Sequence, residues 1–269
     1  MPFIDIGQHT LEYERHSGAG NRACVIMLHE GLGSVAMWRD FPARVAATTT
    51  HTVLAYSRLG YGKSDPLPDG ADPRGARRGL RQPDFMHREA FEVLPALIAA
   101  LGIERPVLLG HSDGASIALL YASRHPVTGV IAMAPHVKVE DISIASIEAS
   151  RVAWETTDLP ARLARYHDDA EGAFCGWNDV WLDPAFRDWN IEAELPLIKA
   201  PVLAVQGEDD QYGSLYQIEE IARRHSRTRL FKIPGCGHSP QRDQPAIVLG
   251  AVQSFLATLP EVKRDTRSA

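Results

Sequence analysis

Ser112 stands in Gly110-His111-Ser112-Asp113-Gly114, directly after the apolar run Pro106–Leu109 and directly before a helical pattern. A G-x-S-x-G pattern between a strand and a helix suits a nucleophilic serine. A hydroxyl is a weak nucleophile at its own pKa and needs a base within hydrogen-bond reach. A sharp strand-to-helix turn lifts its side chain clear of the sheet. Glycines on either side leave room for neighbouring elements. The helix that follows aims its first amide groups at any negative charge developing beside the serine. The bland alternative is a glycine-rich connection, which the strand and helix around it argue against.

The base should lie in a loop at another strand's end. Of 11 histidines, His238 has that setting, in Gly235-Cys236-Gly237-His238 after the run Arg229–Ile233. A carboxylate is needed to hold its imidazole in the working tautomer. Glu208, Asp209 and Asp210 compete for this role after the run Pro201–Val205. A spacing of glycine and then acid three positions later selects Asp210, with Asp209 as runner-up and Glu208 behind it. The expected order is Ser112, Asp210, His238.

These residues need strands that end side by side. Ala23–Leu28, Thr52–Tyr56, Pro106–Leu109, Gly129–Met133, Pro201–Val205 and Arg229–Ile233 are short apolar runs, each stopping at a glycine-rich or polar turn. Continuously apolar strands are buried on both faces, as in a parallel sheet covered by helices. Helical periodicity at Phe85–Leu101, Asp113–Arg124 and Gln244–Leu256 supplies the cover. The expected class is therefore α/β, a mostly parallel sheet flanked by helices. Ligands in such sheets sit beyond the carboxyl ends of the strands. Residues 137–197 break the rhythm, with helical patterns but no buried strand. They read as a helical cap inserted after the strand ending near Pro135, on a core of residues 1–136 and 198–269. Four of the five tryptophans, Trp154, Trp177, Trp181 and Trp189, fall in this insertion.

With these motifs assembled, the sequence resembles the α/β-hydrolase superfamily from His29 to the final helix. His29-Glu30-Gly31-Leu32-Gly33-Ser34, with Trp38, is similar to the family's oxyanion loop. Ser57-Arg58-Leu59-Gly60-Tyr61-Gly62-Lys63-Ser64 is similar to its D-x-R-G-x-G-x-S turn, with Ser57 where aspartate is usual. Ser-Asp-Gly after the nucleophile strand and Ala134-Pro135-His136 after the next most resemble the valacyclovirase-like (biphenyl-hydrolase-like) branch. The amide of Asp113 is one expected oxyanion donor. Alignment of the oxyanion loop makes Gly31 the other, with Leu32 as the alternative. Glu30 replaces the family's glycine. It reads as turned outward or paired with an arginine such as Arg58, or as a contact to substrate or an ordering partner. In the resembling branch the acid after the nucleophile recognises an amino group. Asp113 either does the same or bonds within the turn or to the cap. Glu30 and Asp113 in one pocket would favour a cation; pairing of either removes that bias.

The tryptophans pin the cap to the core or line an apolar pocket above Ser112. Trp154, Trp177, Trp181, Phe174 and His136 are the candidate lining residues. The expected activity is cleavage of a small carboxylic ester through an acyl-enzyme on Ser112. A C–C hydrolase of meta-cleavage products, a thioesterase or an amidase would use the same triad. A silent binding protein would not need it.

No metal or organic cofactor is implied, because there is no HExxH and no GxGxxG after a strand. The 269 residues are 45% hydrophobic and 23% charged, ordinary for a globular chain. A net charge of −6 gives no reason to expect nucleic acid. The longest nearly unbroken apolar run, Val93 to Ile103, falls short of the ~20 residues of a membrane helix. Three cysteines without a CxxC, and no visible secretory signal, point to a cytoplasmic protein. It would act on a small acyl substrate as a monomer or homodimer. Arg74, Arg77, Arg78 and Arg81 read as a solvated loop, or as a patch for an anionic substrate or partner.

Overall fold

A computed structural model describes residues 2–19, 22–67 and 81–260. Its eight strands are β1 (Phe3–Ile6), β2 (His9–His16), β3 (Val25–Leu28), β4 (Val53–Tyr56), β5 (Val107–His111), β6 (Gly129–Met133), β7 (Val202–Gly207) and β8 (Thr228–Ile233). They form one sheet in the order β1-β2-β4-β3-β5-β6-β7-β8. The six apolar runs are its parallel strands; β1 and β2 add an antiparallel hairpin at the β4 edge. Every residue of β3 to β7 is buried, as their unbroken apolar character requires. The side chains alternate between faces. Ile26 and Leu28 enter one core, Val25 and Met27 the other.

Ten helices accompany these strands among the described residues. Helix α1 (Phe41–Thr49) and the last, α10 (Pro245–Leu256), pack on the Val25 face through Phe41, Val45, Val248 and Val252. The opposite face is covered by α2 (Phe85–Arg88), α3 (Leu94–Ala100), α4 (Asp113–Arg124) and α8 (Tyr216–Arg224). The single helix expected over 85–101 is split between α2 and α3 by a π turn at Glu89–Val93, where Tyr56 donates a 2.8 Å bond to the buried Glu89 carboxylate. Between β6 and β7 run α5 (Asp141–Thr156), α6 (Leu159–Leu163) and α7 (Ala170–Trp181). The four-residue α9 (Pro240–Asp243) follows the His238 loop.

The turn from β5 into α4 shows why its glycines are needed. A Cβ on Gly110 would run into the carbonyl of Gly114, and one on Gly114 into the carbonyl of Leu28 at the end of β3. Both obstacles are backbone and cannot swing aside. Gly114→Ala is therefore expected to cost ~1–3 kcal/mol, as overpacking does. A urea midpoint unchanged from the parent would show that β3 and α4 do not approach this closely.

Candidate active site

Ser112 is held at φ 54°, ψ −120°. Backbone there costs a non-glycine residue ~1–3 kcal/mol, so its surroundings must impose it. Its N–H donates to Met133 O at 2.9 Å, and its own carbonyl accepts from Ala115 and Ser116 at 2.9 and 3.1 Å. The strained turn aims the side chain at the loop after β8. Ser112 Oγ lies 3.0 Å from His238 Nε2. His238 Nδ1 lies 2.8 and 3.0 Å from the two oxygens of Asp210. Asp210 is buried, whereas Asp209 and Glu208 are exposed. Its oxygens also accept from Tyr212 N–H at 2.8 Å and Gln206 Nε2 at 3.1 Å. Burial alone would raise the Asp210 pKa; the bond and charge of His238 outweigh it and hold the carboxyl low. A carboxylate at Nδ1 fixes the Nδ1–H tautomer, which leaves the Nε2 lone pair facing the serine hydroxyl.

Ser112 and His238 open into a cavity of ≈ 450 Å³ whose lining also includes Glu30, Gly31, Leu32, Asp113, His136, Trp177 and Trp181, with Asp210 behind the imidazole. Asp113 is the first residue of α4, so its N–H has no partner within the helix. Gly31 has Trp177 against it: a Cβ there would strike the indole. Trp154 and Phe174 do not line this cavity. They stack on each other at 4.2 Å, and Phe174 meets the edge of Trp177, so they back the wall that Trp177 presents. His136 has its pKa pushed down to about 3 by burial, so it is a neutral imidazole.

Of the readings open for Glu30, a pairing of its carboxylate with Arg58 is not what forms. Arg58 reaches the Glu30 backbone carbonyl, at 2.9 Å, and not its carboxylate. The carboxylate pairs with His111 Nδ1 at 3.3 Å. Ser57, which stands where aspartate is usual, donates at 2.8 Å to the carboxylate of Glu12 on β2. The missing acid is thus supplied from another strand. Asp113 accepts from Trp181 Nε1 at 3.2 Å, while its Oδ2 is buried without a partner. Burial raises its pKa against the pull of Arg58 and Arg81. Arg81 donates to Leu59 O at 2.7 Å, with its guanidinium 4.8 Å from the centre of the Tyr61 ring. Arg74, Arg77 and Arg78 lie outside the described residues.

Sequence reasoning missed Tyr212, whose ring lies 4.6 Å from that of His238. Its position two residues after Asp210 was the available signal, because an aspartate side chain commonly takes the N–H two residues on. Among the described residues no group of three His, Cys, Asp or Glu could hold a metal ion, and no helix is long and apolar enough to cross a membrane.

Sheet order, nucleophile turn and cavity together define an α/β-hydrolase fold. Residues 25–251 match the Alpha/beta hydrolase family, and the chain belongs to it. Serine hydrolase BPHL of Mus musculus is 28% identical over 244 residues, 85% of this chain and 77% of that protein. A non-heme haloperoxidase of Rhodococcus erythropolis is 24% identical over 275 residues, 88% of this chain and 93% of its own. The solved structure of a proline iminopeptidase from Mycobacterium smegmatis shares the fold, with a TM-score of 0.74 at 21% identity over 95% of this chain and 97% of that one.

Proposed function

We propose that this hydrolase cleaves small carboxylic esters through an acyl-enzyme on Ser112. The observation that carries the reading is the 3.0 Å contact between Ser112 Oγ and His238 Nε2, with Asp210 behind it. His238 takes the hydroxyl proton as Oγ attacks the acyl carbonyl. The amides of Asp113 and Gly31 hold the oxyanion. Collapse expels the alcohol, which takes the proton from His238. Water then repeats the sequence on the acyl-enzyme. Residues 137–197 act as a cap, with Trp177 and Trp181 as the apolar wall over the acyl group. Fluorophosphonate labelling combined with a panel of short p-nitrophenyl esters tests this; a protein that neither labels nor turns over is a binder.

The substrate is uncharged in this reading. The carboxylate of Glu30 is compensated by His111. Asp113 is tied to the cap through Trp181 and lies in the field of Arg58 and Arg81. The amine recognition suggested by the valacyclovirase-like branch thus loses its electrostatic basis. An α-amino ester should be hydrolysed no more than about tenfold faster than its des-amino counterpart, because a fully desolvated charge pair would give more. A preference of a hundredfold in kcat/KM would restore Asp113 as an amine receptor.

A further inference from the structure

His111 takes no part in those chemical steps, yet it touches both loops that serve them. It lies between Gly110 and Ser112 and is 1% exposed. Its Nδ1 is 3.3 Å from Glu30 Oε2, and its Nε2 is 2.7 Å from the backbone carbonyl of His238. Both partners are acceptors with no proton to give. A neutral imidazole carries one N–H and can satisfy only one of them; an imidazolium satisfies both. Gln241 adds to this. Its amide nitrogen is placed 3.1 Å from the same Nδ1, while its Oε1 is buried without a partner. The two amide atoms are assigned from the hydrogen-bond network. Turning the amide over relieves Oε1 and gives Nδ1 one more acceptor.

We propose that His111 is a buried imidazolium that ties the Glu30–Gly31 loop to the His238 loop, so that the working site requires the His111 proton. The proposal rests on the serine-hydrolase reading above. His111 and Glu30 are positioning residues in it. Without the proton, His111 must lose one of its two acceptors. Losing Glu30 frees the loop that carries the Gly31 amide; losing the His238 carbonyl frees the loop that carries the base.

The surrounding charges agree. Burial opposes the His111 charge, but the bond and charge of Glu30 outweigh it and raise the His111 pKa, with Asp210 helping. Glu30 is held down to about 2 despite its own burial, because His111 bonds it. His136 and His29 face the pair as neutral rings, both pushed down by burial. Arg58 bonds the Glu30 carbonyl rather than its carboxylate. On the α9 side, Asp243 is engaged with Gly237 N–H at 3.0 Å, and Arg242 lines the cavity. The ring of His238 is centred 5.2 Å away and repels His111 only while protonated.

A raised pKa means the proton is held below it and lost as pH rises through it. The rate of Ser112 labelling by a fluorophosphonate, followed on the full chain across the neutral and alkaline range, should therefore fall on the alkaline side. In Glu30→Gln the fall should begin about one pH unit or more lower, since an opposite charge at this distance is worth that much. His111→Gln keeps a donor for the His238 carbonyl that does not titrate, so its alkaline fall should vanish, on a lower plateau. Selective nitrogen-15 labelling of histidine gives a reading independent of rate: wild-type His111 should show protons on both ring nitrogens at neutral pH. A single ring proton there, or a wild-type rate flat through the alkaline range, overturns the proposal. Absence of labelling at every pH overturns the serine-hydrolase reading itself, and the proposal with it.

Discussion

Replacing Ser112 with alanine is expected to lower kcat by about 10⁶-fold and to leave the fold in place. The size follows from the proposal that Ser112, Asp210 and His238 act as a unit. Without Oγ no acyl-enzyme forms, and the Nε2 lone pair of His238 has no hydroxyl proton to accept. What remains is the contribution of the amide donors and of binding. His238→Ala should cost about as much, and the double variant little more than either alone. The fold should survive because alanine keeps the β-carbon in the same strained backbone, and the bonds at that turn use the Ser112 N–H and carbonyl, not its hydroxyl. Steady-state kinetics on the best ester of the panel, alongside a thermal melt, checks both halves. A variant that melts normally and retains more than about a thousandth of the activity would show that another group supplies the nucleophile, because the residual rate left to such sites comes from binding and the oxyanion donors alone.

The parallel half of the sheet was legible because a strand buried on both faces must be apolar throughout, and Val25–Leu28 and Val130–Met133 are short, apolar, contain β-branched residues and are followed by turn residues. The β1–β2 hairpin was not. His9–His16 reads HTLEYERH, an edge-side antiparallel strand of mixed burial, and neither a continuous run nor a clean alternation marks it. Helices α1 and α8 escaped for similar reasons. α1 carries a proline near its start and threonines at its end, and α8 buries Gln217 and Glu220 beside its isoleucines. At the site, whatever lies on one turn of chain was legible: Ser112 between its glycines, His238 after a strand, and three acids after another. Contacts between turns were not. Glu30 could be seen to depart from the family pattern, but nothing in the sequence says that its partner is His111, 81 positions away, rather than Arg58. The exchange of an aspartate at position 57 for Glu12 on a neighbouring strand is hidden in the same way. Side chains that meet only because strands lie side by side leave no spacing to read.

Asp210→Asn is the second large effect, expected at about 10⁴-fold in kcat with the backbone unmoved. The reason lies in what already converges on this side chain. Three donors meet it: the Tyr212 amide, Gln206 Nε2 and the Nδ1–H of His238. A carboxylate can accept from all three, whereas an asparagine has one oxygen and must turn its NH₂ toward a donor. The relief available is for His238 to move its proton to Nε2, which presents a hydrogen, not a lone pair, to the serine. The pH behaviour has a definite sign. The Asp210 pKa is held low, so the stability its ion contributes is present above the ordinary carboxylate pKa and lost as pH falls through the depressed value. The asparagine variant should lack this acid-side loss, which urea titrations at neutral and acidic pH would reveal. Asp209→Asn and Glu208→Gln give the contrast that the sequence alone left open. Both residues are exposed, and the carboxylate on the imidazole is that of Asp210, so their variants should keep the parent rate. If Asp209→Asn were instead the inactive one, the carboxylate behind His238 would be the wrong member of the three, and the His238 loop would have to sit differently from the arrangement that places Nε2 against Ser112.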